Sequence, residues 1–149
     1  MRVLIQRVTK GSVRVDGKVV SVVSHGFVLL LGVARGDYES DADMLAGKIV
    51  NMRIFNDQED KFNRSLLEVD GGVLVVPQFT LFADVRKGRR PSFTDAAPLD
   101  AAAILFDYFV GKLHQLGVSS VSAGHFGAKM RVEIHNDGPV TLWLDSSVL

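Results

Sequence analysis

The sequence predicts a mixed α/β chain: one α+β domain over residues 1–149, with a curled, barrel-like sheet of about seven strands and two main helices. Three observations carry this expectation. Apolar and polar residues alternate in short runs along most of the chain, the period of half-buried strands. Only two segments repeat apolar residues at three- and four-residue spacing, the period of a helix. The length of 149 residues suits one hydrophobic core. Strands that outnumber helices to this extent are expected to curl or pack on themselves.

Taken in order, Val3-Leu4-Ile5 opens a strand. Val13 and Val15 flank Arg14, and Asp16-Gly17 then gives a two-residue hairpin signal before Val19, Val20 and Val22. The run Phe27 to Val33 is apolar throughout, as expected of a central strand covered on both faces. Ser40-Asp41-Ala42-Asp43 has capping-box spacing, and Leu45, Ile49 and Met52 follow at helical spacing, which predicts a first helix. Arg53-Ile54-Phe55 reads as a short strand and Asn56 to Arg64 as a loop. Val73 to Val76 is a second buried strand, ended by Pro77.

Ala83 to Ala97 has no periodicity and is rich in Arg, Gly and Pro. Loops of this length are uncommon in compact domains and tend to be functional. Pro98 suits the first turn of a second helix, whose apolar face is Leu99, Ala102, Phe106, Phe109, Leu113 and Leu116, with Gly117 at its C-cap. Met130, Val132 and Ile134 alternate with polar residues, Asn136-Asp137-Gly138-Pro139 reads as a turn, and Val140, Leu142 and Leu144 alternate again.

Composition narrows the function classes. Hydrophobic residues make up 47% and charged residues 23%, which places the chain among globular proteins rather than disordered ones. The formal net charge is zero, from 17 basic and 17 acidic residues, so coating nucleic acid by bulk charge is not expected. A local basic patch remains compatible with that neutrality. There is no cysteine, which removes disulfides, thiolate catalysis and cysteine-ligated metals. Gln6 and Arg7 interrupt the opening apolar run too soon for a signal peptide, and Phe27 to Leu31 is too short to span a membrane. A soluble, cytoplasmic protein with no membrane partner is expected.

No nucleophile elbow, phosphate-binding loop or dinucleotide fingerprint is present. His25, His114, His125 and His135 are not paired at metal-ligand spacing, and each reads as a surface or core histidine. No metal and no cofactor are expected. Three features remain. Gln78 and Thr80 interrupt the apolar run Pro77-Gln78-Phe79-Thr80-Leu81. They are either a solvent-facing strand end or a pocket floor whose N–H groups could hold a developing oxyanion. Gly138-Pro139 is either an ordinary turn or a cis peptide bond. Arg86-Lys87-Gly88-Arg89-Arg90 is either a solvated charge run or a phosphate clamp.

These stretches carry a family likeness. The opening Met1-Arg2-Val3-Leu4-Ile5-Gln6-Arg7-Val8 and the stretch Lys48 to Phe55 match the family's start and its first helix. Gln78-Phe79-Thr80-Leu81 matches most of a signature usually written Ser-Gln-Phe-Thr-Leu. The loop Arg86 to Phe93 and Asn136-Asp137-Gly138-Pro139-Val140-Thr141, which fits Asn-x-Gly-Pro-x-Thr, complete the set in family order. The chain thus resembles the D-aminoacyl-tRNA deacylases over essentially its whole length.

The resemblance implies a homodimer that hydrolyses the ester between a D-amino acid and tRNA, and that also admits glycyl-tRNA. It implies a cis Gly138-Pro139 reaching into the partner subunit's pocket, where its main-chain oxygens grip the substrate amino group and an L side chain would clash. Arg7 would support that segment, and Met130 would line the pocket of the terminal adenosine. Catalysis would rest on main-chain N–H groups around Phe79 and Thr80, with Gln78 and Thr80 positioning the ester or water and the ribose hydroxyl assisting. Arg86, Lys87, Arg89 and Arg90 would hold the acceptor end of the tRNA. One departure stands out: Pro77 replaces the signature's Ser, which excludes a serine nucleophile there. A related branch with Pro at this position releases a small L-amino acid, so relaxed selectivity is the natural alternative. A tRNA-binding module without catalysis is the other.

Overall fold

The computed structural model describes all 149 residues. Eight strands and two helices form, with β1 at Arg2–Val15, β2 at Lys18–Val23, β3 at Gly26–Gly32, β4 at Phe55–Asn56, β5 at Phe62–Arg64, β6 at Gly72–Pro77, β7 at Val121–Ala123 and β8 at Met130–Asp145. Helices α1 and α2 span Glu39–Asn51 and Leu99–Gln115. No helix is long and apolar enough to cross a membrane.

The main sheet runs β2-β1-β3-β6-β7, with β8 also paired to β1. β1 is long enough to serve three neighbours. Its first half pairs with β3 and its second half with β2, while β8 follows it almost end to end. β3 and β6, and β6 and β7, are parallel. The outer strands β2 and β7 meet through side chains: Ser122 Oγ donates to Val22 O at 2.7 Å, and Ser21 Oγ donates to Ala123 O. The sheet is thereby a nearly closed barrel, which removes most of its free edge.

The continuous apolar runs follow from this geometry. Along β3, Phe27, Leu29 and Leu31 join the core under the helices, whereas Val28 points into the barrel. Along β6, Val73 and Val75 face the helices and Leu74 and Val76 face the barrel. The helices cover the outer face with Leu45 and Ile49 from α1 and Phe106, Phe109 and Leu113 from α2. A strand covered on both faces loses its polar alternation.

Several sequence expectations need correction. α1 starts before Ser40: its N-cap is Tyr38, and Asp41 accepts from the Tyr38 N–H at 2.9 Å. Asp41 therefore serves the third helical position rather than sitting between cap and helix. Pro98 is the cap of α2, one residue before the first helical position. The expected loop after Asn56 contains β5, which pairs with β4 in a separate two-stranded ribbon. β7 was not predicted; three residues carry too little alternation to be seen. Most consequentially, Asn136 to Pro139 does not reverse the chain. These residues form an outward excursion within the single strand β8.

Candidate functional site

The residues Gln78 to Phe82 leave β6 as a short 3₁₀ turn, Phe79–Phe82, rather than as a strand end. The entry is anchored by Gln78 N–H to Leu31 O at 2.8 Å. The exit is held by Arg2, whose Nη1 donates to Leu81 O at 2.9 Å and whose guanidinium lies 4.5 Å from the Phe82 ring centre. Gly32 allows the approach: a Cβ there would stand 2.9 Å from both Gln78 O and the Phe82 ring. In a 3₁₀ turn the first N–H groups have no partner inside the turn. Those of Phe79 and Thr80 donate to no backbone or side-chain acceptor of this chain. Gln78 Nε2 donates to Thr80 Oγ1, so the two polar side chains of the turn are tied together.

Beside this turn opens a cavity of about 400 Å³. Pro77, Gln78 and Phe79 form one side, Phe126 to Ala128 and Met130 another, and Phe93 with Leu99 close the rest. Phe79 is 57% exposed and packs edge-on against Phe93 at 5.0 Å between ring centres. The lining is mostly hydrophobic, and Arg35 is its one charged member. Arg35 is itself held by the loop, through Nε to Thr94 O at 2.8 Å. Leu99, read from the sequence as a core position of α2, is 62% exposed and lines this cavity.

Of the sequence candidates, Gln78, Phe79 and Met130 meet in this cavity, and Thr80 stands at its edge through Gln78. Arg35, Phe93, Leu99 and Phe126 were missed. Phe93 closes the basic stretch from Arg86 and could have been included. Arg35 and Phe126 have no signal in the local sequence, because only packing brings them here.

The segment Gly138-Pro139 lies elsewhere. Gln6 faces Thr141 and Val8 faces Asn136 across β1 and β8, so Arg7 alone faces Asp137, Gly138, Pro139 and Val140. The extra residues bulge outwards, and both Gly138 and Pro139 are exposed. Their peptide bond is cis. Asn136 staples the base of the bulge, donating from Nδ2 to Arg7 O at 2.9 Å and to Val140 O at 3.0 Å. Thr141 Oγ1 donates back to Asn136 Oδ1 at 3.1 Å. The first and last residues of the Asn-x-Gly-Pro-x-Thr stretch are therefore the clamp of the bulge.

Arg7 is buried beneath the bulge. Its Nη1 donates to Ile54 O at 2.7 Å and to Asn56 Oδ1 at 3.0 Å. Its Nε lies 3.0 Å from Asp137 Oδ2, at an angle too poor for a directed hydrogen bond, so that attraction is chiefly charge on charge. Neither Gly138 nor Pro139 lines the cavity at Phe79 in this chain.

The basic loop is also divided. Arg86 forms a two-pronged pair with Asp84, at 2.9 Å from Nε and 2.8 Å from Nη2. Hydrogen bonds from Arg86 hold the Asp84 carboxyl at about 2, below its ordinary 3.8. Lys87, Arg89 and Arg90 are exposed and form no ion pair. They do not line the cavity, but Phe93, three residues after Arg90, does.

Comparison with known proteins gives a consistent result. Residues 4–145 match the family model described as D-Tyr-tRNA(Tyr) deacylase. A D-aminoacyl-tRNA deacylase of Roseiflexus sp. (strain RS-1) is 55% identical over 148 residues, covering 99% of this chain and 95% of that protein. One of Thermomicrobium roseum is 56% identical over 149 residues, covering 100% and 96%. Among solved structures, a c-Myc DNA unwinding element binding protein superposes with a TM-score of 0.91 at 36% identity, covering 97% of this chain and 98% of that one. A probable eukaryotic D-amino acid tRNA deacylase superposes at 0.78 with 21% identity, over 96% and 97%, a likeness of fold.

Proposed function

The chain belongs to the D-Tyr-tRNA(Tyr) deacylase family, and on that premise we propose how its own residues carry out the family's reaction. It is a hydrolase of the ester linking a D-amino acid to tRNA. In that reaction water adds to the ester carbonyl, the bond to the ribose oxygen breaks, and the ribose oxygen takes up a proton. An aminoacyl ester is already activated, and the neighbouring ribose hydroxyl assists its departure. The protein therefore has to orient the ester and stabilise the negative oxygen.

The observation that carries this reading is the pair of free N–H groups on Phe79 and Thr80 beside a mostly apolar cavity. Donors of this kind, aimed where charge develops, are each worth about 10²–10³ in rate. Gln78 and Thr80 position the ester or the attacking water. The terminal adenosine occupies the cavity, with its base against Phe79, Phe93 and Met130. Lys87, Arg89 and Arg90 hold backbone phosphates of the acceptor end, with Arg86 a weaker contributor because Asp84 already neutralises it.

Chiral selection belongs to Gly138-Pro139 of a second copy, in a homodimer. The exposed bulge and the open cavity of one chain are separate, and each supplies what the other lacks. Main-chain oxygens of the pair hold the substrate's amino group, and an L side chain meets a rigid wall. Selectivity then comes from exclusion. Glycyl-tRNA, with no side chain, passes. The work of such an enzyme is proofreading of charged tRNA in the cytoplasm.

Incubation with D-tyrosyl-tRNA and L-tyrosyl-tRNA tests this. Release of D-tyrosine with the L-ester left intact is expected, and equal rates would overturn the chiral part. Pro77, which lines the cavity where the family signature has Ser, supports a second reading with relaxed selectivity. Fast release of a small L-amino acid in the same assay would favour it.

A further inference from the structure

We infer that the cations Arg14, Lys129 and Arg131 form a second phosphodiester-binding patch, which carries the acceptor strand of tRNA as it leaves the cavity. This deepens the reading of the cavity given above and rests on it. Arg14 and Arg131 are direct partners across β1 and β8. Like charges directly opposite on neighbouring strands repel and cost stability. Glu133 relieves only part of this: its Oε1 lies 3.5 Å from Arg14 Nε, with both side chains more than a third exposed. Lys129 and Arg131 are exposed and pair with no carboxylate. Asp16 is the one acidic residue in the shallow hollow that these three cations line. A repulsion kept across two paired strands is relieved by a bound anion.

The position of the hollow identifies the anion. It shares Met130 with the cavity, and Lys129 and Arg131 stand one residue to either side. Cavity and hollow thus share one wall, with Met130 turned to the cavity and Arg131 to the opposite face of β8. A nucleotide chain that leaves the cavity over this shared wall meets the three cations. The loop cations Lys87, Arg89 and Arg90 precede Phe93, which lines the same cavity. In this neutral protein, unpaired cations adjoin two lining residues of the cavity, Phe93 through the loop and Met130 through Lys129 and Arg131, and a single-stranded phosphate backbone is held by such a run of positive charge.

The test compares the whole protein with its Lys129→Gln/Arg131→Gln double variant on two substrates. One is D-tyrosyl-tRNA; the other is D-tyrosyl-adenosine, which keeps the ester and has no phosphate. On tRNA, KM rises roughly tenfold with kcat held, and the slope of log kcat/KM against log salt falls by about 1.4, for two single-strand phosphates. On the adenosine ester the variant matches the unaltered protein, which also reports an intact fold. The charge-keeping variant Lys129→Arg/Arg131→Lys retains the original KM. An unchanged KM and salt slope for the double Gln variant overturn the patch and leave the cavity reading standing. So does a charge-keeping variant as impaired as the Gln one. Failure of the unaltered protein on both esters overturns the cavity reading, and the patch with it.

Discussion

Arg7 and Gly138 divide the work at the outward bulge. Arg7 ties the bulge to the strand ribbon through Ile54 and Asn56 and attracts Asp137 from below. Gly138 has φ +112°, a conformation that other residues rarely adopt. A Cβ there would stand 2.9 Å from Val140 Cγ2 and 3.1 Å from Arg7 Nη2, so steric and conformational strain coincide. Gly138→Ala is expected to cost about 1–3 kcal/mol of stability, read from urea unfolding. Unchanged stability would mean that the bulge relaxes freely, against a rigid wall. The need for glycine here was not legible in the local sequence, which left Gly138-Pro139 open between an ordinary turn and a cis peptide bond; the family resemblance implied the cis form. Only the register against Arg7 shows that four residues face one.

At the scale of elements, α2 does two jobs with one apolar stripe. Phe109, fully buried, belongs to the core between the helices and the sheet, while Leu99 at the N-terminal end reaches the cavity. Phe109→Ala is expected to destabilise the fold by about 3–5 kcal/mol, read from the midpoint of denaturant unfolding, because a large cavity is left in a packed core. Leu99→Ala should leave that midpoint nearly unchanged, since Leu99 is mostly exposed; a loss comparable to Phe109→Ala would contradict the division. The helical spacing made α2 plain from sequence, but spacing alone gives every apolar position the same standing. Which of them meets the core and which meets a cavity depends on where the helix begins against the sheet. The turn Phe79–Phe82 shows the same limit. Its polar interruption was visible, yet its 3₁₀ form depends on Gly32 and Arg2 from distant strands.

At the scale of the whole molecule, the proposed site is incomplete in one copy. Gly138 and Pro139, the proposed chiral selectors, are exposed and do not line the cavity of their own chain. Sedimentation or light scattering is expected to give twice the 16.3 kDa of one chain. A fully active and fully selective monomer would contradict the shared site. The mixed α/β class, the two helices, the buried central strands and the family itself were all legible in the sequence. They follow from periods of 2 and 3.6 residues, from turn chemistry and from ordered motifs, which are local properties of the chain. Only the tertiary structure decided the near-closure of the barrel, the free N–H pair at Phe79 and Thr80, the commitment of Arg86 to Asp84, and the outward bulge at Gly138-Pro139. Each of these depends on a register or a contact between residues far apart in sequence, and no local pattern encodes which distant partner a residue will meet.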